Sequence, residues 1–418
     1  MKNNKRIHPT LFLAFWLTVL VIQDGLAQPD KQLSGSSPVN APFSLNNGDR
    51  VLFLGNSLFE NDLLYGYLEL ALTTRWPDRQ LTFRNIGWSG DDVFGAARGT
   101  ITNPPTPYDV LIEQLTKAKP TLVFLAYGGI ESEQGEAGLP RFNEGLNKLL
   151  DKIDQLGASA ILLSTTPVFS GGTPEKTAQR NAQLELYAAA IGRTARDRGI
   201  RYLDIYTPIQ QLSRQVSLSD NGIHLNETGY YYLASTLEAA LGLPPRQQDI
   251  TLQVLKQGTQ ASNKVKLQST GQGNQTLTFT VDEPHLPLPI SRDGSRIAGK
   301  GPTITIAGLK KGFYTLTADG AQLITASAKQ WAEGVPMHRG PLYQQASQLQ
   351  EMIRKKNDLF FQQYRPQNHT YIIGFRSYEQ GRHMKTLDDL SFIITWLEGQ
   401  IALHRTPKTP VYQLSQLK

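Results

Sequence analysis

The stretch Arg50–Leu68, RVLFLGNSLFENDLLYGYL, decides the fold and raises the question of function. A short apolar run ends in Gly55-Asn56-Ser57, and residues with helical spacing follow at once. Serine is favoured at helix starts because its hydroxyl caps free N–H groups, so Ser57 alone is typical of a turn or cap. The same corner could hold Ser57 beyond the end of a sheet as a nucleophile. The rest of the chain has to distinguish these two interpretations.

The composition favours a folded protein with a substantial core. The chain has 418 residues, of which 39% are hydrophobic and 19% charged, which argues against disorder. This length is enough for two domains or for one domain with a large elaboration. The absence of cysteine excludes thiolate metal sites and a cysteine nucleophile. The net charge of +6 comes without a dense Lys/Arg block, so we expect no nucleic-acid partner.

The N-terminus has the pattern of a secretory signal. Three basic residues within the first six positions precede an apolar run over 11–22, which the small residues Gly25 and Ala27 follow. The run is too short to span a bilayer as a helix, so we predict a signal peptide over 1–27 and a secreted or periplasmic protein. The alternative is an uncleaved anchor. Residues 28–49 are rich in Ser, Pro, Asn and Gly and are interpreted as a linker, and no later segment is expected to span a membrane.

Apolar runs and helical patterns alternate regularly over 50–243. Strands that are apolar throughout indicate burial on both faces, and their alternation with helices predicts an α/β fold with a doubly wound parallel sheet. The predicted strands cover 50–55, 81–88, 121–129, 159–168 and 201–208, and the predicted helices cover 63–76, 107–119, 139–157, 177–199 and 226–242.

The composition changes after this region. Residues 249–327 are rich in Thr, Gln and Gly and contain short strand-like pieces, which predict a small antiparallel β subdomain inserted before the C-terminal helices. From residue 328 to 418 the pattern becomes helical again, and we interpret this part as a helical C-terminal extension.

The residues that could carry chemistry all follow predicted strands. In doubly wound sheets, ligands bind beyond the carboxyl ends of the strands. Ser57 follows the first strand, Gly90 the second and His224 the fifth, so we expect them at one rim. A serine needs a base such as histidine, and the histidine needs an acceptor such as Asp220 to fix its tautomer. A Gly90 N–H could stabilise the oxyanion.

The candidate residues lie in four short sequence blocks. In order along the chain, the blocks are Gly55-Asn56-Ser57, the segment NIGWSGD with Gly90, Gly128-Gly129-Ile130 and Asn221-Gly222-Ile223-His224. The set resembles the SGNH/GDSL hydrolase family over roughly 50–243, and the tail resembles that of a secreted bacterial subgroup. The resemblance implies a flavodoxin-like fold and a serine esterase without metal or organic cofactor. By position, it implies Ser57 as nucleophile, His224 as base, and the Ser57 and Gly90 N–H groups as oxyanion donors.

Three residues depart from the family pattern. Asn56 replaces the aspartate of the first block, Ile130 replaces the oxyanion asparagine of the third, and Asn221 replaces the carboxylate that orients the histidine. Two compensations are conceivable. Asp220 could reach His224 through a one-residue bulge, and another amide, such as Asn56 or Asn85, could point into the space left by Ile130.

The sequence thus predicts a secreted esterase that removes an acyl group, most simply acetyl, from a carbohydrate. The alternative is a catalytically weakened module that binds a glycan or a protein partner through the same cleft; the sequence identifies no specific protein partner.

Two groups of acidic residues are interpreted as structural. We expect Glu131, Glu133 and Glu136 to form a solvated loop rather than a metal site, and Asp91 and Asp92 to be charges at a helix start.

Overall fold

The computed structural model describes residues 42–99, 105–246, 248–270, 276–290, 302–365, 375 and 387–417, which belong to one compact unit over 36–418. The predicted signal peptide 1–27 and most of the predicted linker 28–49 lie outside the described residues. Within the described residues, no helix combines the length and apolar character that a membrane span requires.

Five parallel strands form the central sheet, in the order β2-β1-β3-β4-β5. Alternate residues of the strands enter different cores: Val51 and Phe53 pack in one, Leu52 and Leu54 in the other. Because both faces are covered, the strands are apolar throughout, and the predicted doubly wound sheet is confirmed. The strands are β1 Arg50–Gly55, β2 Thr82–Asn85, β3 Leu122–Ala126, β4 Ser159–Leu163 and β5 Arg201–Leu203.

The predicted first helix, 63–76, begins later than expected, at Tyr67, because Gly66 before it adopts a left-handed conformation with φ of 71°. A short helix over Ser57–Asp62 precedes it. The helices of this region are α1 Ser57–Asp62, α2 Tyr67–Arg75, α3 Pro107–Ala118, α4 Leu139–Gln155, α5 Pro174–Asp197, α6 Tyr206–Ser213 and α7 Glu227–Ala240, with 3₁₀ segments at Ala96–Arg98 and Glu131–Gly138.

The predicted β subdomain consists of two sheets that share one core around Leu252, Phe279, Ile306 and Leu316. A four-stranded sheet has the order β13-β10-β6-β7, and a five-stranded sheet has the order β12-β11-β14-β9-β8. All pairs are antiparallel except β6 with β10, which is parallel. The strands are β6 Ile250–Leu255, β7 Gly258–Ala261, β8 Val265–Thr270, β9 Thr276–Val281, β10 Thr303–Ala307, β11 Phe313–Ala318, β12 Ala321–Ser327, β13 Val335–Pro336 and β14 Val411–Gln416.

The C-terminal part of the chain contributes to both regions. Its helices are α8 Ala328–Glu333, α9 Pro341–Tyr364 and α10 Leu390–His404. Leu349 and Ile353 of α9 pack in the core of the central sheet, whereas the final strand β14 lies between β9 and β11 of the sandwich. The extension was predicted from the sequence to be helical, but it also contains the strand β14. Its helix α9 runs along the α/β region to the loop that follows β2.

Candidate active site

Ser57 stands where β1 turns into α1. The chain passes very close to β3 at this corner, because a Cβ on Gly55 would lie 2.3 Å from the Ala126 carbonyl oxygen. The Asn56 side chain caps α1 by accepting from the Leu58 N–H at 3.2 Å. The capping role that serine often plays thus belongs to Asn56, and the hydroxyl of Ser57, which is half-buried, is left for other contacts.

His224 lies in the exposed loop before α7, and it lines the same cavity of ≈ 90 Å³ as Ser57. Distant parts of the chain thus meet at the carboxyl ends of the strands, as the block order predicts. Among the described residues, no hydrogen bond joins Ser57 Oγ to His224. The loop is held by Ser219, whose hydroxyl donates to the His224 carbonyl oxygen at 2.6 Å.

Asn221 contacts the His224 ring through its amide nitrogen, with 3.2 Å between Asn221 Nδ2 and His224 Nδ1. The orientation of the amide is fixed, because Asn221 Oδ1 accepts from the N–H groups of Ile223 at 2.9 Å and His224 at 2.8 Å. A flipped amide would place donors against donors. The Nδ1 atom of His224 is therefore an acceptor in this arrangement, and the ring proton resides on Nε2.

Asp220, the other candidate for orienting His224, faces a different residue. Its carboxylate accepts from Asn226 Nδ2 at 2.8 Å, and Asn226 in turn caps α7 through Gly229 N–H at 2.9 Å. The structure thus uses Asp220 to hold the start of α7, and the bulge that would bring it to the imidazole is not formed.

The third block contributes backbone and an apolar side chain to the cavity. Ile130 is 39% exposed and lines the cavity together with Gly129. Arg180 covers this loop, donating to the Gly129 carbonyl oxygen at 2.6 Å and to Ser132 Oγ at 2.8 Å. Arg180 also lines the cavity. The third-block loop is thus held by a cation that the sequence analysis did not identify.

Gly90 lies in the exposed loop after β2 and is not among the residues that line the cavity. The loop is nonetheless tied to the corner at Ser57. The Trp88 N–H donates to the Gly55 carbonyl oxygen at 2.9 Å, and the Ser89 N–H donates to the Glu60 carboxylate. Neither the Ser57 nor the Gly90 N–H has an acceptor among the described residues, which leaves both available as donors.

The C-terminal extension reaches the same loop. Tyr364 donates its hydroxyl proton to the Gly87 carbonyl oxygen at 3.1 Å. The next residue, Arg365, stacks on the Trp88 ring at 3.6 Å and donates to Glu60 at 2.7 Å. Sequence patterns did not reveal this contact, since it joins segments that are about 280 positions apart.

The structure corrects one expectation about acidic residues near the site and extends another. Glu131 is buried and accepts from the N–H groups of Val93 at 3.0 Å and Gly128 at 2.9 Å, so it links the second-block and third-block loops. Burial raises its pKa to about 7. Asp91 and Asp92 do lie at the start of the 3₁₀ segment Ala96–Arg98, where Asp91 Oδ1 accepts from the Ala97 N–H at 3.3 Å and Asp92 Oδ1 accepts from the Ala96 N–H at 3.0 Å. Asp91 is in addition fully buried and pairs with Arg98 at 2.8 Å, which the sequence did not indicate.

In the described residues, no group of three or more His, Asp or Glu side chains is arranged to hold a metal ion. The arrangement offers a hydroxyl, an imidazole and the free Ser57 N–H around a small cavity. These groups can perform acyl transfer, with a covalent intermediate on the serine.

Comparisons with known proteins agree with this interpretation. Residues 53–232 match the sequence profile described as the GDSL-like Lipase/Acylhydrolase family. No protein with a curated description matches the chain. The structure of a gut microbial diltiazem-metabolizing enzyme has the same fold, with a TM-score of 0.67, 17% identity, and coverage of 90% of this chain and 99% of that one.

An acetylxylan esterase from Geobacillus stearothermophilus is also similar in part, with a TM-score of 0.40, 15% identity, and coverage of 48% of this chain and 98% of that one. The family resemblance predicted from the four motif blocks is confirmed by the profile match. Residues 53–232, somewhat less than half of the chain, are therefore those of a GDSL-like lipase/acylhydrolase, and the protein is an ester-bond hydrolase.

Proposed function

We propose that this protein removes a short acyl group, most simply acetyl, from an esterified carbohydrate outside the cytoplasm. The observation that carries this proposal is a difference in size and polarity between two adjoining spaces. The cavity at Ser57 and His224 has ≈ 90 Å³, whereas a neighbouring open groove has ≈ 610 Å³. Val168 lines both spaces. Pockets for drug-sized ligands have about 300–1,000 Å³, so the small cavity suits a short acyl chain and the groove a larger alcohol.

The polarity of the groove favours a sugar as that alcohol. Its lining is rich in hydroxyl, amide and guanidinium groups, which can exchange hydrogen bonds with sugar hydroxyls. These residues include Thr177, Gln210, Ser213, Arg214, Gln215 and Ser217.

In the proposed reaction, Ser57 Oγ attacks the ester carbonyl carbon and its proton passes to His224. The carbonyl oxygen becomes negative in the tetrahedral intermediate, and the Ser57 and Gly90 N–H groups would donate to it. Collapse of the intermediate breaks the bond to the sugar oxygen, which takes the proton from His224. Water then attacks the acyl-serine, again with His224 as base, and releases the free acid and Ser57.

The extracellular location in this proposal rests on the sequence. A basic start, an apolar run and small residues before position 28 form the pattern of a cleaved secretory signal. Polysaccharides that carry acyl esters are extracellular substrates, so secretion and the proposed substrate class are consistent with each other.

A second candidate function, a weakened hydrolase that chiefly binds a glycan or a protein partner, is favoured by the Asn221 amide. Asn221 Nδ2 lies 3.2 Å from His224 Nδ1, which leaves the ring proton on Nε2. Nε2 is the nitrogen that would have to accept the proton of Ser57. In a Ser–His–Asp triad, an amide at this position costs about 10⁴ in kcat.

One experiment distinguishes these functions. The protein without residues 1–27 is incubated with chromogenic acetyl, butyryl and octanoyl esters and with acetylated xylo- and cello-oligosaccharides, in parallel with Ser57→Ala. The proposal predicts acetate release that requires Ser57 and falls with acyl length. If no ester is hydrolysed faster than by the Ser57→Ala variant, while the oligosaccharides bind in calorimetry, the second function is supported and the first is excluded.

A further inference from the structure

The oxyanion site of this chain lacks the side-chain donor that its family places in the third block, because Ile130 stands there. An isoleucine side chain cannot donate a hydrogen bond, and the loss of one oxyanion donor typically costs about 10²–10³ in kcat. An active enzyme with this cavity would therefore benefit from a donor supplied from another position.

We propose that Nδ2 of Asn56 is that donor, so that Asn56 is a catalytic residue that contacts the oxyanion. The inference rests on the proposed acyl-transfer function of Ser57. Asn56 directly precedes Ser57, is only 9% exposed, and lines the cavity that contains Ser57 and His224.

The orientation of the Asn56 amide is determined by its other end. Asn56 Oδ1 accepts from the Leu58 N–H at 3.2 Å, as a helix cap does, so a flip would bring two donors together. Nδ2 is therefore directed away from α1. It approaches Gly129 so closely that a Cβ on that residue would lie 3.0 Å from it, and Gly129 lines the same cavity.

Nδ2 of Asn56 has no acceptor among the described residues. The other side-chain donors nearby already serve acceptors elsewhere. Asn85 Nδ2 donates to the Phe59 carbonyl oxygen at 2.6 Å and its Oδ1 accepts from Gly87, while the Arg180 guanidinium is bound to Ser132 and Gly129. A fixed and unpaired N–H beside the nucleophile is the arrangement that stabilises an oxyanion without reorganisation.

Asn61 is the other amide that lines the cavity. It lies four positions beyond Ser57 on α1, one turn along the helix. The Asn61 amide makes no cap hydrogen bond of the kind that fixes the Asn56 amide. A variant of Asn61 therefore serves as the control for a variant of Asn56 in the same cavity.

The test uses Asn56→Asp, which restores the Gly-Asp-Ser sequence of the family. Aspartate keeps the acceptor for the Leu58 N–H, so folding is retained, but it removes both Nδ2 protons and places a negative charge near the oxyanion. We expect kcat on an acetyl ester to fall by about 10²–10³ with little change in KM. If Asn56 acts only as a cap, the family residue will be neutral or beneficial, and the proposal is overturned.

Three further variants make the result specific. Adding Ile130→Asn to Asn56→Asp rebuilds the donor of the family and should recover a large part of the lost kcat. Asn61→Asp should cost less than Asn56→Asp; the reverse order would identify Asn61 as the donor and overturn the proposal. Asn147→Asp on α4, which faces Arg198 at 3.0 Å, is the charge control outside the cavity.

The rate of labelling by a fluorophosphonate gives a second readout, since its phosphoryl oxygen occupies the oxyanion position after attack by Ser57. The labelling rate should fall in Asn56→Asp in parallel with kcat. If the wild type hydrolyses esters through Ser57 and Asn56→Asp does so equally well, only this inference fails. If the wild type neither hydrolyses esters nor is labelled, the proposed function and the inference both fail.

Discussion

Asn221 Nδ2 lies 3.2 Å from His224 Nδ1, so an amide donor occupies the place where a carboxylate accepts in a Ser–His–Asp triad. The Asn221 oxygen cannot take over this role, because it accepts from two backbone N–H groups of its own loop. The His224 imidazole is therefore held in the tautomer that is less suited to accept a proton from Ser57.

Replacing Asn221 with Asp should correct the tautomer. One carboxylate oxygen keeps the backbone contacts, and the other accepts from His224 Nδ1–H, which frees Nε2 to accept from Ser57. Because the opposite change costs about 10⁴ in a related triad, we expect kcat on an acetyl ester to rise at least about tenfold. Initial rates at saturating ester measure this, and ¹⁵N chemical shifts of the imidazole report the tautomer.

The matched control is Asn221→Asp in the Ser57→Ala background, in which no increase is expected. A drop in kcat for Asn221→Asp, with the Nδ1–H tautomer nevertheless formed, would contradict the assignment of His224 as the base.

Asp220→Asn should have a small effect, although this carboxylate adjoins the motif that contains His224. Asp220 contacts Asn226 at 2.8 Å and has no ion pair with His224 in the described chain. We expect a change far below the about 10⁴-fold loss that accompanies removal of an orienting carboxylate. A loss of that size in kcat, without a change in melting temperature, would show that Asp220 reaches the imidazole during turnover.

The central sheet and the meeting of Ser57 with His224 were predictable because they depend on local patterns. Apolar strands buried on both faces fix the fold class, and parallel strands bring their carboxyl ends to one rim. The partners of Glu131 and Asp91 were not predictable, since burial of a carboxylate depends on N–H groups and cations supplied by other loops. Strand β14 was missed because its partners β9 and β11 lie about 90 or more positions away.

Arg365→Ala tests whether α9 positions the loop that carries Gly90. Arg365 stacks on Trp88 at 3.6 Å and pairs with Glu60, whose carboxylate also accepts from Ser89. Without this contact the loop should shift, and a misplacement of about 1 Å at a reacting group can cost about 10²-fold in rate. We expect a loss in kcat larger than any change in KM, measured by steady-state kinetics on an acetyl ester.

Lys355→Ala removes an exposed cation from α9, the helix that Arg365 directly follows, and is the control for Arg365→Ala. Equal kinetics for the two alanine variants would exclude a positioning role for Arg365. Arg365→Lys should lie between the wild type and Arg365→Ala, because a lysine keeps the charge but not the planar stacking.

The pair between Lys356 and Glu69 tests whether α9 is part of the α/β core. Lys356 Nζ donates to both Glu69 oxygens at 2.7 and 2.8 Å and to the Phe83 carbonyl oxygen at 3.0 Å. Both side chains are almost completely buried. Lys356→Met leaves the carboxylate of Glu69 without its cation, so we expect a loss of about 3–5 kcal/mol in the free energy of unfolding.

The double variant Lys356→Met with Glu69→Gln should recover part of that loss, since no buried charge is then left unpaired. Urea unfolding of the single and double variants gives the coupling energy. Additive effects would mean that the pair does not join α9 to α2 energetically.

Asp62, at the end of α1, should make the protein less stable as the pH rises towards neutrality. Burial raises the pKa of its carboxyl from 3.8 to about 7, while the N–H groups of Tyr67 and Leu68 lower it by donating to Oδ1. Since the folded-state pKa exceeds the unfolded value, the folded protein binds the proton more tightly. This contribution to stability is complete below about pH 4 and is lost as the pH rises to about 7.

Asp62→Asn provides a clean test, because a single oxygen, Oδ1, accepts both backbone contacts and the amide retains it. A raised pKa of this size corresponds to a change of about 4 kcal/mol in the free energy of unfolding between the unfolded-state and folded-state pKa values. We expect the stability of the wild type relative to Asp62→Asn to fall by about that amount between pH 4 and pH 7.5, measured by urea unfolding at several pH values. Parallel pH profiles for the two proteins would show that Asp62 is ionised in the folded state throughout this range.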